Sequence, residues 1–365
     1  MMNCLYIGTP FERKIKSGAD VINKRNATFL YTYYDQLDYF FTEDPLKRTS
    51  KLTTLKNILF YDNFVGLTKD DIIKLCASIH KKNYDMCYIA NSNLGFLSKL
   101  LKHYFPKMMI CTFFHNVEFN YFKQLASGKN FYKLPLTICA KKNEEFATQY
   151  SDRVIALNRR DAQEIYRVYG KSVDFILPTS FPDCAEKIEY DFSSRTSVPS
   201  KLLFVGSDFF ANEDGIRWFI HNVLPRINAE VFIVGRGTER WQSIFSMNKN
   251  VHVLGSVDSL TSYYQMADAV IMPIFLGSGM KTKTAEALMY GKNIYATSEA
   301  LEGYKVDINK FGAECNTADE FVNAIQNDLP NRTICNKFSR KIFLDNYSNN
   351  VWYQKFKVFL DSLHN

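Results

Sequence analysis

The chain has 365 residues, of which 46% are hydrophobic and 23% are charged, and its formal net charge is +7. This length and ordinary globular composition predict two domains of roughly 100–200 residues each. The positive charge suits an anionic small ligand or an anionic membrane surface. No Lys/Arg block is dense enough to predict a nucleic-acid-binding arm, so nucleic acid is not an expected partner.

The eight cysteines form no C-x-x-C pair, so the sequence carries no zinc signature, and most of them lie in apolar runs. This pattern is typical of buried thiols in a reducing compartment. The N-terminus does not resemble a signal peptide, and no apolar run reaches the ~18–20 residues of a membrane-spanning helix. We therefore expect a cytoplasmic protein and leave open a peripheral contact with the inner face of the cell membrane.

Short apolar runs alternate with helical patterns through the first half of the chain. The runs, interpreted as strands, are residues 4–8, 27–33, 57–61, 86–91, 108–114, 153–157 and 173–177. Apolar residues at helical spacing predict helices over 69–82, 94–103, 143–150 and 159–169. Near-continuous apolar strands between helices favour a parallel sheet covered on both faces.

The pattern stops at residues 183–200, which are rich in serine and lack periodicity, and then starts again. The predicted strands are residues 201–206, 230–235, 251–254, 269–273 and 293–297. The predicted helices are residues 214–223, 260–266, 283–290, 318–328 and 331–345. We predict an α/β fold with a first Rossmann-like domain at 1–182, a linker at 183–200 and a second such domain at 201–349. The amphipathic segment 350–365 is expected to complete the first domain.

Two doubly wound domains place their ligand sites at the carboxyl ends of the strands, so the cleft between them is the expected binding site. The strongest pattern there is a Gly-rich turn, Gly277 to Gly279, which leads into a helix carrying Lys281, Lys283 and Glu286. Backbone amides of such a turn and the start of a helix attract an anion. Taken alone, a Gly-x-Gly turn is equally typical of a plain strand–helix connection with solvated lysines.

The segment 277–291, GSGMKTKTAEALMYG, resembles the retaining GT-B glycosyltransferases of the group-1 type, which act in capsule, O-antigen and exopolysaccharide synthesis. It is most similar to their subgroup with a G-S/G-G-x-R/K-x-K-x-x-E signature. Segments 204–207, 212–219, 234–237 and 253–258 extend the resemblance, which covers roughly 200–306.

The resemblance implies roles for individual residues of the second domain. Lys281 is expected on the diphosphate, with Lys283 as second choice, and Glu286 on the ribose hydroxyls. Ser278 stands where many members carry a first glutamate, so the sugar is expected to meet Ser278 and the amides of Gly279 and Met280. The other expected substrate contacts in this domain are Gly206, Ser207, Asn212, Gly235, Arg236, Gly277 and Glu302.

In the first domain, His115 follows a predicted strand within the sequence His-Asn-Val-Glu. A lone histidine is more often structural, but similar enzymes carry an H-N-x-E segment at this point. The resemblance therefore implies that His115 contacts the donor sugar or stabilises the transition state, with Glu118 beside it. Gly18 corresponds to a loop near the donor phosphates and the acceptor, although a plain β–α turn explains it equally well.

We predict a glycosyltransferase that moves a sugar, with retention, from a nucleoside-diphosphate sugar to a glycan or polyprenyl-linked acceptor. Neither a metal nor another cofactor is expected. Three alternatives are a nucleotide-sugar 2-epimerase, a degenerate GT-B protein that binds glycans or a partner enzyme, and a general nucleotide-binding protein. A basic and aromatic segment predicts either membrane contact or a solvated helix; its residues are Lys99, Lys102, His103, Tyr104, Phe105 and Lys107.

Overall fold

The computed structural model of the chain describes residues 2–10, 18–42, 67–126, 134–186, 193, 198–277 and 279–364. It divides into two compact units, the first formed by Met1–Pro178 and Lys355–Asn365 and the second by Thr179–Gln354. The described residues of the segment predicted as a linker, 183–186, 193 and 198–200, fall within the second unit. Asp183 is held there by Arg340, whose Nη1 donates to Asp183 Oδ1 at 2.8 Å.

The first unit contains a parallel sheet with the strand order β2-β1-β3-β4-β5-β6. Its strands are β1 Asn3–Gly8, β2 Gln36–Phe41, β3 Met86–Ile89, β4 Met109–Phe114, β5 Arg153–Ala156 and β6 Phe175–Ile176. All four residues of β3 are buried, as expected for a strand covered on both faces. The sheet reverses its direction of growth between β1 and β3, and this is where such sheets bind ligands.

The described helices of the first unit connect these strands and cover the sheet. They are α1 Gly18–Tyr33, α2 Lys69–Lys82, α3 Gly95–Tyr104, α4 Glu118–Leu125, α5 Leu134–Tyr150 and α6 Arg159–Tyr169. Helix α2 begins as its sequence predicts, because Thr68 and Asp71 form a capping box.

The apolar run 27–33 was wrongly interpreted as a strand, since it forms the second half of α1. The buried residues Ile22, Asn26 and Leu30 of this helix repeat every four residues, which is helical spacing. The strand in this part of the chain is β2, which follows α1 and whose apolar and polar residues alternate only weakly. The run 57–61 lies outside the described residues.

The C-terminal helix α14, Asn349–His364, buries Phe356 and Leu360. Within the first unit, Phe356 lies 6.2 Å from Phe29 between ring centroids, and Phe359 stacks on Phe175 at 4.7 Å. These contacts fill the space between α1 and β6 with aromatic rings.

The second unit contains a second parallel sheet, with the order β12-β11-β10-β7-β8-β9. Its strands are β7 Ser200–Val205, β8 Ala229–Val234, β9 Val251–Gly255, β10 Ala269–Met272, β11 Asn293–Ala296 and β12 Gly312–Glu314. The chain first grows from β7 towards β9 and then returns through β10 towards β12. The switch point therefore lies between β7 and β10.

Helices again alternate with the strands of the second unit. They are α7 Phe210–Asn222, α8 Trp241–Phe245, α9 Thr261–Met266, α10 Thr282–Met289, α11 Ser298–Leu301, α12 Ala318–Asn323 and α13 Lys337–Asn346. The helix predicted at 331–345 begins only at Lys337, because Asn336 caps it by accepting from the amides of Phe338 and Ser339. The two units thus form the predicted α/β fold with two doubly wound sheets.

Candidate active site

The Gly-rich turn lies at the switch point of the second sheet. It connects the end of β10 to α10, whose N-cap position is occupied by Lys281 without a side-chain cap. Gly277 has a φ of 149° and Gly279 a φ of 65°, a region that favours glycine. Met280 is buried, and Ser278 lies outside the described residues. The turn therefore brings uncapped backbone amides to the carboxyl edge of the sheet.

Lys281 is held beside this turn by a carboxylate that was not predicted. Its Nζ donates to Glu299 Oε1 at 2.7 Å and to the Gly279 carbonyl at 2.9 Å. The Lys281 carbonyl accepts from Tyr304 Oη at 2.6 Å, which fixes the backbone at the start of α10. An ammonium group is thus oriented at the turn, where the resemblance expects the diphosphate.

Lys283 points from the first turn of α10 towards β7. Its Nζ donates to Asn212 Oδ1 at 2.7 Å and lies 4.6 Å from the centre of the Phe204 ring. Burial and the nearby charge of Lys281 lower the pKa of Lys283 to about 7, against the opposing effect of Glu286. This amine can therefore gain or lose a proton near neutral pH.

Gly206 leaves room for this contact, since a Cβ atom there would lie 3.0 Å from Lys283 Nζ and from the amide group of Asn212. Asn212 Nδ2 in turn donates to the Ser207 carbonyl at 2.8 Å. The predicted residues Gly206, Ser207, Asn212 and Lys283 thus come together at the switch point.

Glu286 lies one turn after Lys283 on α10 and is half-buried. Burial raises the pKa of Glu286 to about 7, partly offset by the positive charge of Lys283. Within the part of the chain that the structure describes, its carboxyl group has no hydrogen-bond partner. A half-buried carboxyl group without a partner is suited to accept hydrogen bonds from a ligand.

The loop after β8 packs against the loop after β7. At Gly235, an added Cβ atom would lie 2.0 Å from the Gly206 carbonyl oxygen. The Asp208 amide donates to the Arg236 carbonyl at 2.8 Å, and the Arg236 side chain is exposed. Both predicted loop residues therefore border the same edge, whereas Glu302 lies just after α11, its amide 3.4 Å from the Glu299 carbonyl.

The first unit holds the other predicted residues at the carboxyl edge of its own sheet. His115 follows β4 directly and is buried, with Nε2 2.9 Å from Asn23 Oδ1 of α1. Burial and the nearby charge of Arg25 lower the pKa of His115 to about 4, so its imidazole is neutral at pH 7. Gly18 is the first residue of α1, and residues 11–17 before it lie outside the described residues.

Glu118 starts α4 beside the fully buried Glu144 of α5. Glu144 Oε1 accepts from the Glu118 amide at 2.8 Å, and Oε2 accepts from the Phe119 amide at 3.1 Å and from Tyr169 Oη at 2.6 Å. Burial and the neighbouring carboxyl group of Glu144 raise the pKa of Glu118 to about 8. Glu144 therefore caps α4 from a distant helix, a role without a local signal in the sequence.

The basic and aromatic segment on α3 is partly committed to internal contacts. Lys102 Nζ forms an ion pair with Asp152 at 2.8 Å, and Lys99 Nζ lies 4.6 Å from the centre of the Phe146 ring. Tyr104 is exposed. No helix among the described residues is long and apolar enough to cross a membrane. The same residues contain no group of three or more His, Cys, Asp or Glu side chains that could hold a metal ion.

Comparisons with solved structures show that the fold of this chain is similar to that of several glycosyltransferases. HepE from Anabaena, solved with UDP and glucose, superposes with a TM-score of 0.66 at 13% identity, covering 99% of this chain and 100% of that chain. WaaG, a glycosyltransferase involved in lipopolysaccharide biosynthesis, gives a TM-score of 0.66 at 16% identity over 98% of both chains. A glycosyltransferase from Rickettsia africae gives 0.64 at 15% identity over 100% and 99% of the two chains.

The sequence comparisons concern the second unit. No curated protein sequence matches the chain. The family model described as "Glycosyl transferases group 1" matches residues 199–331, which include the Gly-rich turn and the second-unit residues of the candidate site. The chain therefore has the two-domain GT-B fold of these structures, and residues 199–331 of its second unit are similar to group 1 glycosyl transferases.

Proposed function

We propose that the protein is a retaining glycosyltransferase that uses a nucleoside-diphosphate sugar as donor. The observation that carries this proposal is the grouping of Lys281, Lys283 and Glu286 around the Gly-rich turn at the switch point of the second sheet. Two ammonium groups and uncapped amides suit a diphosphate, and a carboxyl group without a protein partner suits a ribose diol. The match of residues 199–331 to group 1 glycosyl transferases supports the same chemistry.

In this proposal, catalysis depends on positioning and on stabilising the charge of the leaving diphosphate. Lys281 and the start of α10 supply positive charge where that charge develops. His115, neutral at pH 7, provides a hydrogen-bonding group for the sugar from the first unit. The retention of configuration, the independence from metal ions and the absence of another cofactor are parts of the proposal that the resemblance supports.

The acceptor we propose is a glycan or a polyprenyl-linked oligosaccharide of a bacterial surface polysaccharide. The similarity to WaaG, a protein of lipopolysaccharide biosynthesis, supports this assignment. We place the reaction in the cytoplasm at the inner face of the cell membrane, where the exposed side chains of His103, Tyr104 and Lys107 are available for contact.

A panel of UDP-, GDP- and ADP-sugars tests the donor assignment, first by thermal shift and then by sugar transfer and hydrolysis. A ligand at about a hundred times its Kd adds about 2.7 kcal/mol to the free energy of unfolding, which gives a clear shift. UDP-glucose is the first donor to test, because HepE has been solved in complex with it. Product NMR reports the anomeric configuration, and EDTA is expected to leave the rate unchanged.

Two outcomes of the panel separate the alternatives. Stabilisation by a nucleotide sugar without turnover on any acceptor favours a degenerate, binding-only GT-B protein. No stabilisation by any nucleotide or nucleotide sugar contradicts the donor assignment altogether.

A further inference from the structure

Glu299 lies next to the Gly-rich turn although it follows a different strand. It belongs to α11, which follows β11, and β11 is the neighbour of β10 in the sheet. Thr297 caps α11 by accepting from the Ala300 amide, and the Ser298 amide donates to Asn316 Oδ1 at 3.0 Å. Glu299 is therefore presented from an anchored turn at the carboxyl edge of the sheet.

Gly277 leaves space for the meeting of Glu299 and Lys281. A Cβ atom at Gly277 would lie 3.1 Å from Lys281 Cε and 3.7 Å from Glu299 Oε1. The side chains of Lys281 and Glu299 are 12% and 22% exposed, so the pair is largely enclosed by protein but still reaches solvent. A ligand bound at the turn would contact both charged groups.

A carboxylate at an anion-binding turn repels a diphosphate. Its presence there indicates that Glu299 has a role other than binding the diphosphate. An ionised carboxylate only accepts hydrogen bonds, an ammonium group only donates them, and a hydroxyl group does both. A sugar hydroxyl can therefore donate to Glu299 and accept from Lys281 at the same time. Because the positive charge of Lys281 compensates the negative charge of Glu299, the paired carboxylate repels the diphosphate less than an unpaired carboxylate would.

We propose that Glu299 accepts a hydrogen bond from a hydroxyl group of the donor sugar and thereby determines which sugar is transferred. This inference rests on the proposed function and adds to it the contact on the sugar side of the diphosphate. A carboxylate at this position favours a neutral sugar with a free hydroxyl group and disfavours a sugar acid, whose charge it would repel.

The test compares the wild-type protein with Glu299→Gln, which keeps the shape of the side chain but removes its charge. Binding of UDP alone is measured by calorimetry, and kcat/KM is measured with the donor identified by the panel. We expect UDP to bind Glu299→Gln as tightly as wild type or a few-fold tighter, and kcat/KM to fall by about 10- to 100-fold, the scale of a lost hydrogen bond to a charged group. Asp319→Asn, a change of an exposed side chain on α12, should alter neither quantity.

Deoxy derivatives of the donor sugar provide the sharper measurement. In the wild type, removal of the hydroxyl group that contacts Glu299 should lower kcat/KM, whereas in Glu299→Gln the same removal should cost little further. The other deoxy positions should be penalised equally in both proteins. This pattern identifies the contacted hydroxyl group by double-mutant logic.

The proposal is overturned if Glu299→Gln weakens UDP and the donor sugar by the same factor, since Glu299 would then only order the turn. It is also overturned if neither quantity changes or if every deoxy penalty persists in the variant. Glu299→Asp, which keeps the charge, checks whether Glu299 only orders the turn. In that case the thermal midpoint of both variants would be lowered. If wild-type protein binds no nucleotide at all, the proposed function fails before the role of Glu299 is tested.

Discussion

Lys283 and Asn212 form a hydrogen bond across the switch point of the second sheet. Lys283 Nζ, on the helix that follows β10, donates at 2.7 Å to Asn212 Oδ1, on the helix that follows β7. The bond holds the amine where a diphosphate is expected, in surroundings that lower its pKa to about 7. The charge of the site is therefore expected to change within the physiological pH range.

The affinity for UDP should fall as pH rises through about 7. Below this pH, Lys283 is protonated and attracts the diphosphate. Above it, the neutral amine attracts the diphosphate much less, and the affinity for UDP can fall by at most about tenfold per pH unit. Ionisation of Glu286 acts in the same direction, so Lys283→Met should reduce the slope without abolishing it. Calorimetry between pH 6 and pH 9 measures both proteins, and the ionisation of UDP itself is common to them. Parallel pH profiles would show that Lys283 does not carry the effect.

Replacement of Lys281 by alanine should lower kcat/KM by about 30- to 150-fold, which corresponds to the ~2–3 kcal/mol scale for removing one electrostatic donor from a transition state. The variant also leaves Glu299 without its partner ammonium, which adds repulsion of the diphosphate. Steady-state kinetics with the donor from the panel measure the loss. Lys249→Ala, an exposed change before the amino end of β9, is the matched control. Wild-type turnover in Lys281→Ala would remove Lys281 from the site.

The sequence was sufficient to predict the strands of both sheets except β2 and β12, together with the position of the Gly-rich turn. A strand such as β3 is predictable because it is buried on both faces and its residues are therefore all apolar. The Gly-rich turn is predictable because its backbone requires positive φ angles at residues 277 and 279, which favour glycine. The helix around Phe29 was missed because an apolar stretch of seven residues suits a strand or a buried helix equally well.

The partners of the site residues were the least predictable part. Glu299 reaches Lys281 from 18 residues away, Asn212 reaches Lys283 from 71, and Asn23 reaches His115 from 92. Such pairs depend on which strands are neighbours, and the sequence pattern predicts strands without their order. The only available signal was that each residue follows or approaches the end of a predicted strand.

Replacement of Gly215 by alanine should destabilise the second unit. Gly215 lies in α7, and an added Cβ atom would be 1.9 Å from the Pro273 carbonyl oxygen, at the end of β10. The helix must move away from the strand, at a typical cost of about 1–3 kcal/mol for an overpacked site. Thermal or chemical unfolding measures the change. Gly170→Asn is the control, because no atom lies within 4 Å of an added Cβ there and asparagine tolerates its φ of 68°. Equal stabilities of the two variants would contradict the close packing of α7 on β10.

Replacement of His115 by alanine should lower the rate of transfer while leaving UDP affinity unchanged, because the proposed nucleotide contacts all lie in the second unit. Loss of one hydrogen-bonding group at a transition state costs about 100-fold or more in kcat. With a pKa of about 4, His115 remains neutral at pH 5–8, so it should contribute no acid limb to the pH profile in that range. Kinetics and calorimetry on His115→Ala test the first point. A histidine NMR signal assigned to His115 that titrates near pH 6.5 would contradict the second.

The carboxyl pair Glu118 and Glu144 should make the first unit less stable as pH rises from about 5 to 8. Burial raises the pKa of Glu144 to about 7, and burial together with the neighbouring Glu144 carboxyl group raises the pKa of Glu118 to about 8. The folded state therefore binds more protons than the unfolded state between about 4.5, the ordinary glutamate value, and 8, and its stability falls over this window. Glu144→Gln removes one of the two charges and should flatten this dependence.

Unfolding of wild type and Glu144→Gln at pH 5 and pH 8 measures the effect. At pH 5, the glutamine can accept from the Glu118 amide in place of a protonated carboxyl group, so a modest loss of stability is expected there. At pH 8, the variant should recover relative to wild type, because Glu118 then ionises without a charged neighbour. Glu145→Gln, half-exposed and adjacent on α5, is the control for removing a charge from this helix. A difference between wild type and Glu144→Gln that is the same at both pH values would show that the two carboxyl groups do not interact, and that Glu144 acts on α4 only as a cap.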